Sequence, residues 1–106
     1  MSDYLDPNNE ELLKDFFSEA KMQVDTLEQN VLVLENEGAN KDAVDEIFRA
    51  AHTLKGVSAN LSFNNLRAVA SNIEIQAKEG NDCKALLPEL KETFDKTIEL
   101  VNEYLR

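Results

Sequence analysis

Apolar residues return every third or fourth position along almost the whole chain, and no stretch alternates as a strand would. That period puts one apolar stripe on a helix, and it occurs in four successive segments. The first runs from about Asn9 to Glu37 and aligns Leu13, Phe16, Phe17, Ala20, Val24, Leu27, Val31 and Leu34. A second begins near Lys41, turns Val44, Ile47, Phe48, Ala51 and Leu54 inward, and fades near Leu61. The third follows Asn64-Asn65 with Leu66, Val69, Ala70, Ile73 and Ala77, and the fourth carries Leu87, Leu90, Phe94, Ile98, Val101 and Leu105. Gly38 and Gly80 stand where left-handed C-cap residues belong. Pro7 precedes the first segment, and Pro88 falls near the start of the last, where a helix tolerates it. The links are short, which favours antiparallel neighbours. The expected fold is all-α: one domain over residues 1–106, an antiparallel up-down four-helix bundle with room for extra helical turns at its ends.

Composition narrows the function. With 106 residues, 42% hydrophobic, the chain can bury a moderate core without staples. Cys83 is the only cysteine, which excludes an internal disulfide or a cysteine-based zinc site; it falls in a loop and receives no role. A net charge of −10 repels phosphate backbones and anionic membrane surfaces, so nucleic acid is not an expected partner. The start, MSDYLDPNNEELLKDFF, has no basic region followed by an apolar run, and no apolar stretch suggests membrane insertion. A cytoplasmic setting is expected.

One stretch, AAHTLKGVSANLSF, is chemically distinctive. It holds the only histidine, His52, and places Gly56 one turn later inside an otherwise helical pattern. Glycine in a helix interior costs about 1 kcal/mol against alanine, so something has to come close to the backbone there. Close helix packing would serve equally well as an approaching partner. At 100° per residue His52, Lys55, Gly56 and Ala59 share one ridge, with Arg49 at its edge. The ridge lies roughly 100° from the centre of the apolar stripe, on the flank of the bundle. In the third segment Arg67, Ser71, Glu74 and Lys78 form a matching polar stripe. If the two segments run antiparallel side by side, Glu74 can accept a hydrogen bond from one ring nitrogen of His52. The other nitrogen is then left free as a nucleophile. Lys55 would offset the charge of a bound phosphoryl group. Without further context a lone flank histidine is usually an ordinary surface residue, and Arg49 and Lys55 are solvated charges. Ile75 points away from its helix's core face, as a docking residue would, although single exposed isoleucines are common.

These residues resemble a known family. HTLKG matches the His-x-x-Lys-Gly signature of histidine-containing phosphotransfer domains. DFFSEAKMQVDTLEQNVLVLENE followed by IFRAAHTLKG is similar to the phosphotransfer domains of CheA-type chemotaxis kinases. There a Phe-Phe-x-Glu-Ala stretch opens the first helix and Phe-Arg-Ala-x-His-x-x-Lys-Gly forms the second. The likeness runs from about Asp15 to the last helix, where only the pattern matches. It implies that His52 is phosphorylated by the ATP-binding domain of a CheA-type kinase and passes phosphate to an aspartate of a CheY- or CheB-type receiver. It also implies that Lys55 lies near the phosphoryl group, Gly56 gives clearance and Glu74 orients His52. Arg49, Ala59, Arg67, Ser71 and Lys78 would then meet partners. The domain itself would hold no cofactor and perform no catalysis; ATP and Mg²⁺ would belong to the kinase domain, of whose protein this would be a module. Ala59 and Ser62 stand where many relatives carry glycine, and Ser71 where some carry a second histidine.

Two other classes compete. A binding-only adaptor bundle would keep the fold without phosphotransfer, and loss of His52 would mark it. A di-iron bundle needs Glu-x-x-His on two helices. Here Arg49 stands three before His52 and there is no second histidine, so no metal site is expected. A nucleotide-using enzyme would need a glycine-rich phosphate loop, which the chain lacks.

Overall fold

The computed structural model describes residues 10–38, 40–81 and 83–105, with side chains as far as 103. Pro7, Asn9 and the Leu105 side chain lie outside it. Four helices follow in order: α1 (Glu10–Glu37), α2 (Lys41–Asn60), α3 (Asn64–Lys78) and α4 (Leu87–Leu105), the last entered through a short 3-10 turn at Lys84–Leu86. Helix α1, at 1.5 Å per residue about 42 Å long, spans the long dimension of a 45 × 19 × 19 Å bundle. Helix α2 packs along α1 on one side and α3 on the other, whereas α4 meets α3 and α1 more sparsely. Two ion pairs tie α4 and the turn before it to α1: Lys91 Nζ to Glu28 Oε2 at 2.7 Å and Lys84 Nζ to Glu35 Oε2 at 3.8 Å.

Local signals set the helix ends. Asn40 caps α2, its side-chain oxygen accepting the Ala43 N–H at 3.1 Å. Gly38 and Gly80 both take positive φ, 75° and 84°, as their C-cap positions predict. At the end of α3 the Asn81 N–H reaches the Gln76 carbonyl and the Gly80 N–H the Ala77 carbonyl, each at 2.9 Å. That double closure is a Schellman motif. Helix α2 ends in the same motif, with Phe63 N–H donating to Ser58 O at 2.9 Å and Ser62 N–H to Ala59 O at 3.1 Å. Here the left-handed residue, at φ 59°, is Ser62.

The core joins the expected residues of all four helices, with two revisions. On α2 the fully covered face runs through Ala43, Ile47, Ala50, Ala51, Leu54 and Ser58, while Val44 and Phe48 are half-buried at its edge. The stripe is thus rotated roughly 50° from the one read in sequence, because small alanines, silent in an apolar pattern, face the neighbouring helices. Cys83 lies in a loop, as expected, yet joins the core: it is buried at φ 61°, with its thiol 3.5 Å from the Ile73 carbonyl.

Candidate functional site

Antiparallel packing of α2 on α3 brings the two polar stripes together. His52 Nδ1 lies 2.7 Å from Glu74 Oε2, and Lys55 Nζ donates to Glu74 Oε1 at 2.5 Å. One carboxylate on α3 therefore engages two side chains, three positions apart, on the ridge of α2. The three are graded in exposure: side-chain accessibility is 13% for Glu74, 33% for Lys55 and 64% for His52. The anion sits in the seam between the helices and the imidazole stands above it in solvent.

Burial would by itself raise the Glu74 carboxyl, but the hydrogen bonds and charges of Lys55 and His52 outweigh it and hold the group below its usual value of 4.5. An ionised carboxylate can only accept hydrogen bonds, so the proton between the two residues sits on His52 Nδ1. In the neutral ring Nε2 then carries the unshared pair, on a side chain that is largely exposed. Lys55 is not extended toward that nitrogen; it is drawn to the far oxygen of the same carboxylate.

A Cβ built on Gly56 would meet nothing within 4 Å, so packing within the domain does not require glycine there. Of the two explanations open in the sequence, close helix packing is removed. Exposed Ala59 continues the ridge beyond Gly56. Arg49 lies exposed, its guanidinium 3.5 Å from Glu46 on the same helix. On α3, Arg67 and Lys78 are exposed, and Ser71 is half-buried. Ile75 is 52% exposed, as its position on the wheel predicts.

A further residue borders the histidine. Spacing alone assigns Phe48 to the core, yet its ring lies nearly parallel to that of His52, with 6.3 Å between centroids and 14° between planes. The i, i+4 separation was the available signal. Hollows elsewhere are built from other residues: one of about 430 Å³ between α3 and α4 is lined by Asn65, Val69, Thr93, Lys96, Thr97 and Leu100 among others. Another of about 270 Å³ between α1 and α2 includes Leu12, Phe16, Val57 and Leu61. Small-molecule sites are usually concave. His52 instead stands out from a surface, suited to entering the cavity of something else. Among the described residues no three His, Cys, Asp or Glu side chains converge as a metal site, and no helix is long and apolar enough to cross a membrane.

Comparison with known proteins points the same way. Residues 11–100 match the family model of the Hpt domain. The chain is 61% identical over 74 residues to the chemotaxis protein CheA of Treponema pallidum (strain Nichols), an alignment covering 70% of this chain and 9% of that protein. It is 58% identical over 62 residues to the chemotaxis protein CheA of Borreliella burgdorferi, covering 58% of this chain and 7% of that protein. To the sensor histidine kinase CheAY of Helicobacter pylori it is 30% identical over 99 residues, covering 91% and 12%. The aligned region is about a tenth of the length of these relatives. No solved structure matches the chain.

Proposed function

The chain belongs to the Hpt domain family, and on that premise we propose that His52 Nε2 is the atom that carries phosphate between an ATP-dependent kinase domain and the aspartate of a receiver domain. The observation that carries this reading is the Nδ1 contact to an ionised Glu74, which leaves Nε2 as the available nucleophile at a 64% exposed position.

The chemistry is balanced without moving a proton. The Nε2 pair attacks the γ-phosphorus of ATP, the N–P bond forms, and the bond to the bridging oxygen breaks as ADP leaves. The ring, still protonated at Nδ1, becomes cationic, and the Glu74 carboxylate 2.7 Å away stabilises that charge. In the second step a receiver aspartate attacks the same phosphorus, the N–P bond breaks, and its electron pair returns to Nε2. Glu74 thus holds the tautomer in the resting state and neutralises the cation in the loaded one. Lys55, through the other carboxylate oxygen, keeps Glu74 ionised and stands three positions from His52 on the same ridge.

ATP, Mg²⁺ and the attacking aspartate belong to partners in this scheme, and the domain contributes the nucleophile. The kinase domain is of the CheA type and the receiver of the CheY or CheB type. Arg49 on α2 and Arg67 and Lys78 on α3 are exposed and would meet the receiver. The setting is that of a cytoplasmic ATP-dependent pathway.

The test is to incubate this chain with a CheA-type ATP-binding domain and γ-labelled ATP, beside His52→Gln, and then add a receiver. Acid-labile label that needs His52 and moves to the receiver is the expected result. Label persisting in His52→Gln refutes the assignment. An unlabelled wild-type chain across a panel of active kinase domains leaves the binding-only bundle as the better account.

A further inference from the structure

Glu74 restrains the imidazole at Nδ1, and a single hydrogen bond to a ring attached through Cβ–Cγ still leaves small coupled changes of χ1 and χ2 that tilt its plane. The unshared pair on Nε2 lies in the ring plane. An in-line displacement at phosphorus needs that pair to point along the bond being broken, so tilt of the plane matters as much as the position of the nitrogen. Something else must hold the plane.

We propose that Phe48 is a positioning residue for the phosphoryl-accepting histidine, its ring lying near-parallel to and offset from the His52 imidazole and limiting the tilt of the plane that contains the Nε2 pair. The inference rests on the carrier reading of His52. Phe48 is half-buried and packed against the core cluster, so its own ring is held from below. Its outer part meets His52 one helical turn on, at a 14° interplanar angle and 6.3 Å between centroids, within the usual range for offset aromatic pairs. Both residues belong to α2, four positions apart, so the helix itself keeps them neighbours. Glu74, by contrast, reaches His52 from α3. Two elements therefore border the ring: α3 through the bond at Nδ1 and α2 through the offset, near-parallel ring of Phe48. A branched aliphatic side chain at position 48 would fill similar space and give no flat surface.

The test compares wild type, Phe48→Leu and Phe48→Tyr in this chain. Phosphoryl uptake from a CheA-type ATP-binding domain is measured as kcat and KM, and the His52 ring protons are followed by NMR. Phe48→Leu is expected to lower kcat about fivefold with KM within about twofold. The ring-current displacement of the His52 Hδ2 and Hε1 signals should disappear while helical circular dichroism is unchanged. Phe48→Tyr, which restores the flat ring, should return both readouts to near wild type. Wild-type kcat in Phe48→Leu overturns the proposal, as does a Phe48→Tyr variant that falls with it. If wild type takes up no phosphate, the carrier reading fails. The spectra then decide whether Phe48 orients the ring, and unshifted signals in Phe48→Leu refute it.

Discussion

Glu74 is held ionised by two donors, and the pH dependence of the site follows from that. Its carboxyl lies below the usual value in the folded chain, so its contribution to stability is fully present above the unfolded value of about 4.5 and is lost as pH falls through the lower folded value. The stability difference between wild type and Glu74→Gln should therefore shrink as pH falls below about 4.5, read by urea unfolding at each pH. A difference that grew as pH fell below about 4.5 would contradict the ionised state assigned here. Gly56 supports a second expectation in which stability and activity move oppositely. Its Cβ position is open, so Gly56→Ala should stabilise α2 by about 0.5–1 kcal/mol in chemical denaturation. Phosphoryl uptake should slow in the same variant, because the added methyl lies on the His52 ridge where a partner closes in. Unchanged uptake would leave the glycine without a role in docking. Ser58 is a different kind of residue-scale exception: its hydroxyl is fully buried on α2 without a hydrogen-bond partner. Ser58→Ala should therefore be neutral or stabilising by about 1 kcal/mol, measured in the same denaturation series.

At the scale of helices, the ends of α2 and α3 are the same motif built from different residues. Gly80 takes the left-handed position of α3 freely, whereas Ser62 takes that of α2 with a Cβ that the conformation disfavours. Ser62→Gly should raise stability by about 0.5–1 kcal/mol, the relief of strain exceeding the extra freedom glycine gives the unfolded chain. Gly80→Ala should cost about 1 kcal/mol, and thermal or urea midpoints of the two variants should move in opposite directions. The stops at Gly38 and Gly80 were legible because glycine is the residue suited to positive φ. The equivalent conformations at Ser62 and Cys83 were not, because serine and cysteine occur throughout ordinary helix and loop. The same contrast explains the rotated face of α2. Leucine and isoleucine announce burial in a sequence; Ala43 and Ala50, equally covered, do not.

Across the whole molecule, 21 acidic and 11 basic residues give an acidic bundle, and the cations Arg49 and Lys55 beside His52 on α2 are each paired with a carboxylate, Glu46 and Glu74. Arg67 and Lys78 lie exposed on the stripe of α3 that carries Glu74. The sequence by itself determined the number and limits of the helices, most of the core, and the common ridge of His52, Lys55, Gly56 and Ala59. All of these follow from the fixed 100° step and from caps that act within a few residues. It also singled out Glu74 as a possible partner on a matching stripe. Only tertiary structure decided that Glu74 meets Nδ1 and that Lys55 turns to the same carboxylate. It likewise showed that Phe48, at the edge of the core, lies against the imidazole. Those contacts depend on the register and rotation of α2 against α3. Side chains along the entire seam set both, because the interior must close without voids, and no local pattern encodes that sum.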